Sequence, residues 1–488
     1  MKRSSVVRSL LLVFALTLLA GCSVSRPDPP STAPLSAGNI NLIFLVSPDL
    51  AYQAPGDVNP DTGNLTNQGL QRSLLMATYL RQEVLGLENV TGIYTLEPMS
   101  HLQTAHNYPD MAALWFVQQF ALLNQITLTG SGGPGPPLIT GNSYPLNASY
   151  GSGPLPGGVA TPLVSCPGCQ GLAFNDTASN NVQLATGIVA ANVPGFYVFS
   201  APWETISALL TNINRVGGYN LNLPAAYMGP NYVYAISIAP SGGAASLVTY
   251  NSNLTPASSY PALPAPVPTT SCTAQTFFSI TRTAGTNGNI TPPGINTNET
   301  VYMIRHAEAH PVSDWDDGNF VGAGQWRAMA LPAAMQGKIS PNVVYSIDPA
   351  QVYPGALAVR GNFNFSYVRP SLTVEPYAIA NNLPYYLVSG IELFDLNSPK
   401  ATSDFFFTGG TFSNKTVLLA WEHDHFPPIV DKLLASYQGT GQTAPAWPLN
   451  DYDTIWTVTL DAQGNVTVSN GLCEGIDSAS LPVTPPQF

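Results

Sequence analysis

Short apolar runs ending abruptly in polar or charged residues recur along this chain. Val301-Tyr302-Met303-Ile304 is one such run, and it stops at Arg305-His306-Ala307-Glu308-Ala309-His310. Its length and β-branched content predict a short buried strand. A second run, Thr416-Val417-Leu418-Leu419-Ala420-Trp421, stops at Glu422-His423-Asp424-His425. Pro427 and Pro428 follow, and Ile429 to Leu434 then reads as the opening of a helix, with proline at its start. Ligands of open α/β sheets collect beyond the carboxyl ends of strands. Four of the chain's six histidines lie at these two strand ends.

The same pattern occurs earlier in the chain. Asn41 to Val46 matches the run at Val301 to Ile304. Gly63-Asn64 through Gly69 to Arg72-Ser73 aligns without a gap on Gly318-Asn319 through Gly324 to Arg327-Ala328. Ile93 to Pro98 parallels Val344 to Pro349, and Phe196 to Phe199 parallels Val417 to Ala420. Asn231 to Ile238 and Asp451 to Leu460 each read as a closing strand that enters a hairpin. This self-similarity reads as an internal duplication. Strands alternating with helical stretches predict an α/β fold: two tandem three-layer α/β/α domains with mainly parallel sheets.

The two copies differ in chemistry. Where the second has Arg305-His306, the first has Ser47-Pro48; near the place of Arg369 it has Asp110, which would repel a phosphate. The first copy is therefore expected to be catalytically inactive. Its only histidines, His101 and His106, fall in a loop and read as structural, or as the edge of a pocket between the domains.

Composition narrows the setting. Charged residues are 9% of the chain and hydrophobic residues 45%, so the polar surface is carried by uncharged side chains, as in many exported proteins. A net charge of −12 argues against a nucleic-acid partner, whose backbone requires basic surfaces. At the N-terminus Lys2, Arg3 and Arg8 precede the apolar run Leu10 to Leu19, which is too short to span a bilayer.

Leu19-Ala20-Gly21-Cys22 resembles a bacterial lipobox. The resemblance implies a lipoprotein signal peptide over residues 1–22, lipid on Cys22 and a Ser/Pro tether over 23–38. Ser23 after the cysteine implies the outer membrane of a bacterial cell envelope, facing the periplasm or the cell surface. The remaining expected segments are a degenerate domain at 39–254 with a Gly/Pro insert at 130–171, a linker at 255–297, a second domain at 298–476 and a tail at 477–488. Cys166, Cys169, Cys272 and Cys473 make an even set, which favours disulfides in an exported chain. A local Cys166–Cys169 bridge and a Cys272–Cys473 bridge across the second domain are expected.

Over residues 298 to 475 the chain resembles the histidine phosphatase superfamily, which includes phosphoglycerate mutases and acid phosphatases. Ile304-Arg305-His306-Ala307-Glu308 resembles its Arg-His-Gly signature, with Ala307 for the usual glycine. Leu418 to His423 resembles its second strand-then-His, and Tyr367 to Thr373 its Arg-x-x-x-Thr helix, with Pro370 after the arginine. The resemblance implies a phosphomonoesterase that needs no cofactor or metal, with a small phosphorylated substrate. It makes His306 the nucleophile, Arg305, Arg369 and His423 the phosphate ligands, and Asp424 the favoured general acid. Glu308 and Glu422 compete for that acid role or touch substrate, and His310 and His425 rank behind them. The acidic run Asp314, Asp316 and Asp317 reads as a solvated turn. The other function class is an inactive binding or scaffolding lipoprotein that keeps the fold.

Overall fold

In the computed structural model, the described residues are 32–52, 56–124, 146–148, 170–272, 276–310, 317–350, 352–354, 364–388 and 399–488. Cys22, Cys166, Cys169, Asp314, Asp316 and nearly all of the 130–171 insert lie outside them. Pro34–Phe488 form one compact unit.

The first half builds a five-stranded sheet. Its strands are β1 (Ile40–Val46), β2 (Gly92–Thr95), β5 (Gly195–Ala201), β6 (Tyr232–Ile238) and β7 (Ala245–Asn251), and β3 (Leu102–Gln103) with β4 (Tyr108–Pro109) makes a small separate hairpin. The order is β2-β5-β1-β6-β7. β2, β5 and β1 are parallel, whereas β6 and β7 return as the expected antiparallel hairpin. Every residue of β1 is buried, as a central strand covered on both faces requires. Ile43 and Leu45 face helices α1 (Asn67–Tyr79) and α2 (Ala112–Leu123). Ile40, Leu42 and Phe44 face α3 (Asn180–Ala191) and α4 (Trp203–Gly217).

The second half builds a seven-stranded sheet from β8 (Ser279–Arg282), β9 (Glu299–Arg305), β10 (Val343–Ile347), β13 (Tyr385–Val388), β14 (Thr416–Trp421), β15 (Thr454–Leu460) and β16 (Val466–Cys473). A separate pair joins β11 (Val352–Pro354) and β12 (Asn364–Ser366). The order is β13-β10-β14-β9-β15-β16-β8. Its inner five strands repeat the order of the first sheet, strand for strand. One half of this sheet is parallel and the other antiparallel, so both sheets are mixed. β8 arises inside the stretch read as a linker, where Ser-Ile-Thr-Arg alternates between exposed and buried and caps the sheet edge. Helices α5 (Gly322–Ala334) and α6 (Arg369–Ala380) cover one face, and α7 (Pro399–Phe407) and α8 (Phe426–Ser436) the other.

One core joins the halves. Side chains of α1, α2, α5 and α6 belong to a single buried cluster that lies against both sheets. Helices of this length are marginal alone, so packing decides their stability. α2 carries no charge and all twelve of its residues are buried, as a helix enclosed on every side requires. Gln118 of α2 and Asn319 exchange carboxamide hydrogen bonds at 2.9 and 3.0 Å across the halves. The tail also takes part: Trp326 Nε1 donates to the Thr484 carbonyl at 2.8 Å, and Gln119 to that of Pro486 at 2.6 Å. Gly69 and Gly324 fall at equivalent helical positions for one reason. A Cβ would stand 2.1 Å from the Asp57 carbonyl in one case, and 2.6 Å from Phe320 Cβ and 3.0 Å from the Glu308 carbonyl in the other.

Cys272 and Cys473 form the expected disulfide, with Cα atoms 5.5 Å apart. It fastens the stretch before β8 to the end of β16.

Candidate active site

β9 and β14 are neighbouring parallel strands, with Arg305 opposite Trp421. The residues that follow, His306 and Glu422, therefore emerge side by side beyond the carboxyl ends. The His306 amide still reaches the Trp421 carbonyl at 2.9 Å, so the strand pairing itself sets their spacing.

His306 is 1% exposed. Its Nδ1 lies 2.7 Å from the Ala307 carbonyl, and its Nε2 lies 3.1 and 3.2 Å from the two Glu422 carboxylate oxygens. Burial is the largest influence on the ring and lowers its pKa. Glu422 pulls it upward, Arg369 and Arg305 push it down, and it settles at about 4. Both ring nitrogens face acceptors, so the neutral ring, with its single proton, can donate to the Ala307 carbonyl or to Glu422 but not to both. Ala307, in place of glycine, fits without disturbance: it is fully buried and its amide donates to Thr373 Oγ1 at 2.8 Å. Thr373 in turn donates to the Arg369 carbonyl at 2.8 Å.

A carbon-13 NMR titration of the His306 ring is expected to show a midpoint near 4. A midpoint at the ordinary 6.5 would contradict this environment. The stability consequence has a definite sign. The unfolded ring binds its proton near 6.5, so the contribution of neutral His306 is complete above that pH and is lost as pH falls towards 4.

Glu422 accepts from His423 Nδ1 at 2.6 Å and from the Tyr367 hydroxyl. Burial raises the pKa of its carboxyl, but His306, His423 and Arg369 outweigh burial and hold it well below the usual range. His423 Nε2 lies 3.2 Å from Asp424 Oδ1, and Asp424 is largely exposed. A line of groups thus runs outward from His306 through Glu422 and His423 to Asp424 at the surface.

Two guanidinium groups flank this line. Arg305 lies over the Tyr452 ring, 3.9 Å from its centroid, and donates to the Leu449 carbonyl. Its buried Nε has no protein partner among the described residues. Arg369 is the first residue of α6 and lies 4.8 Å from the Tyr367 centroid. Pro370 takes the next position, in the first turn, where its missing N–H costs nothing. The start of α6 adds its positive end to the two arginines.

The structure thus brings together Arg305, His306, Arg369, Glu422, His423 and Asp424. Glu308 is placed elsewhere: Arg327 Nε and Ser478 Oγ each reach its Oε1 at 2.8 Å, so it serves an ion network. His425 stacks on Trp421 with centroids 4.9 Å apart, His310 is half-buried, and Asp317 is buried and accepts from the Asn319 amide at 3.0 Å. Tyr367 and Tyr452 are site residues that sequence reasoning missed as such. Tyr367 stands two positions before Arg369 and could have been found from that spacing. Tyr452 reaches the site only through the packing of its loop, with its ring 6.0 Å from that of His306.

The equivalent corner of the first half has other groups. His101 Nε2 lies 2.8 Å from Asp49 Oδ2, and its ring stacks on Phe174 with centroids 3.7 Å apart. Asp110 is fully buried, and burial, opposed by His101, pushes its carboxyl up to about 7. His101 is thus hydrogen-bonded, while His106 is exposed beside Tyr108.

No family model matches the sequence. No curated protein matches it either. Solved structures match in part. A phosphoglycerate mutase from Plasmodium falciparum covers 38% of this chain and 96% of its own, at 13% identity and a TM-score of 0.21. A structure described as a putative phosphohistidine phosphatase SixA from Nakamurella multipartitia covers 40% and 96%, at 14% identity and a TM-score of 0.23. An Entamoeba histolytica phosphoserine phosphatase mutant covers 36% and 97%, at 12% identity and a TM-score of 0.19. At such identities and scores these likenesses carry no weight, and the functional reading rests on the geometry of the site.

Proposed function

We propose that this chain is a histidine phosphatase of the phosphoglycerate mutase-like type. It would hydrolyse phosphomonoesters through a phosphohistidine on His306. One observation carries the reading. A carboxylate, that of Glu422, sits against Nε2 of His306, held by His423 and Tyr367 and within the field of Arg369. An oxyanion is thus already accommodated beside a buried imidazole, whose single proton passes to Nδ1 and the Ala307 carbonyl once an electrophile replaces Glu422 at Nε2. A phosphoryl group brings the same kind of oxygens and adds an electrophilic centre for the lone pair. Entering, it displaces the Glu422 carboxylate and takes over its donors.

Nε2 then attacks phosphorus, and the bond to the ester oxygen breaks on the opposite side. The leaving oxygen stands about one phosphate diameter outward, which excludes Glu422 as its acid and favours Asp424. Asp424 gives the alkoxide a proton. Water then attacks the phosphohistidine and returns a proton to Asp424, releasing orthophosphate and neutral His306. Arg305 and Arg369 hold the equatorial oxygens, where charge accumulates.

The test is release of 4-nitrophenol from 4-nitrophenyl phosphate by the purified, folded chain. Turnover is expected in mildly acidic to neutral buffer. None across about pH 4 to 8 removes the enzyme reading and leaves a binding or scaffolding protein. We also place the protein in the bacterial envelope, tethered by lipid on Cys22. Labelled palmitate should enter the wild type and not a Cys22→Ser variant; equal labelling would remove the anchor.

A further inference from the structure

We propose that Asp49, His101 and Asp110 form a binding site for one divalent transition-metal ion, with Zn2+ the best match, in the half of the chain that lacks the phosphate-handling residues. One potential ligand atom from each residue lies within 4.8 Å of the other two. The three come from separate pieces of backbone. Asp49 follows the end of β1. His101 and Asp110 flank the open end of the β3–β4 hairpin, next to the Leu102–Pro109 pair, and the Asp110 amide donates to the His101 carbonyl at 3.2 Å.

Each carboxylate uses one oxygen locally. Asp49 Oδ1 accepts from the Ala51 amide at 2.7 Å, and Asp110 Oδ1 from the Ala112 amide at 3.0 Å. This leaves Asp49 Oδ2 directed at His101 Nε2. It also leaves Asp110 Oδ2 buried with no hydrogen-bond partner among the described residues, on a residue that is 0% exposed. A buried carboxylate oxygen left in this way is costly unless a proton or a cation meets it. Phe174 holds the imidazole plane in place by stacking. The buried carboxamide of Gln103 lies beside Asp110.

The donor set selects the ion. Two carboxylates and one neutral imidazole bring a charge of −2, which balances a divalent cation. Calcium and magnesium favour all-oxygen sites, whereas an imidazole with carboxylates suits zinc and its neighbours. The position is equivalent to that of the candidate active site, beyond the first strand of the sheet and at the start of its second helix. One half would then receive an anion and the other a cation.

The experiment uses the full chain, stripped with a chelator and dialysed against micromolar Zn2+. Expected are one zinc per chain, a rise of several degrees in melting temperature, and an X-ray absorption spectrum with nitrogen and oxygen neighbours and no sulfur. His101→Ala and Asp110→Asn should each weaken binding by about a hundred-fold or more, while His306→Ala keeps it. Three results would overturn the proposal: no uptake and no thermal shift in the wild type, sulfur ligation, or a zinc lost in His306→Ala and kept in His101→Ala. Should Asp110→Asn fail to fold, the wild-type stoichiometry and spectrum still decide.

Discussion

A His306→Ala variant is expected to lose aryl phosphate hydrolysis by about three orders of magnitude or more while keeping its fold, since removing the nucleophile of a covalent mechanism leaves only binding and electrostatic contributions. Among the described residues no neighbour can replace it. Both ring nitrogens of His423 face carboxylates, Glu422 on one side and Asp424 on the other. His425 is turned against Trp421. The structural cost is limited. The alanine loses the contacts with the Ala307 carbonyl and Glu422, but Glu422 keeps His423 and Tyr367 as donors. Two measurements settle the matter: kcat, and trapping of an acid-labile, base-stable phosphoenzyme in the wild type alone. Unchanged turnover in the variant would end the proposed mechanism.

The largest effect on stability is expected at Arg327, which is 0% exposed. Its guanidinium pairs with Glu308 at 2.7 Å and with Glu474. It also donates to the Ile476 carbonyl and to Ser478 Oγ, both at 3.0 Å. These contacts tie the loop after β9 to the chain beyond β16 through α5. Arg327→Met leaves two largely buried carboxylates without their cation, a loss of about 3–5 kcal/mol. Urea unfolding of the two proteins measures it. The deficit should shrink at acid pH. Burial already pushes Glu474 up to about 8 beside Arg327, and loss of the cation raises it further, so the variant is least destabilised where the carboxyls are protonated and loses more stability than the wild type as pH rises. Adding Glu474→Met should restore part of the loss, because the two changes share one network. A midpoint unchanged by Arg327→Met would show that the network contributes nothing to the fold.

Arg72 shows how far such roles could be read. It aligns with Arg327, and it too is buried in an ion pair, with Asp57 at 2.7 Å. The alignment marks both arginines as equivalent, but neither partner could be named from it. Asp57 is fifteen residues from Arg72, whereas Glu474 is 147 residues from Arg327. Similarly, the spacing of apolar runs indicated the central strands and the hairpins that close each sheet. It did not indicate that β8 would cap the second sheet, because a four-residue alternation acquires meaning only beside a partner strand.

The sequence by itself determined which strands would end in imidazole and guanidinium groups, and that only one half would carry them. Those are properties of local pattern, set by hydrophobic period and residue identity. Tertiary structure alone decided that β9 and β14 are neighbours and that Glu422 rather than Glu308 faces His306. It also decided that Tyr367 and Tyr452 complete the enclosure, and that four helices merge the halves around one core. The physical reason is one of range. Hydrophobic periodicity acts over a few residues, whereas the direction of a side chain at a strand end depends on partners that arrive from far along the chain.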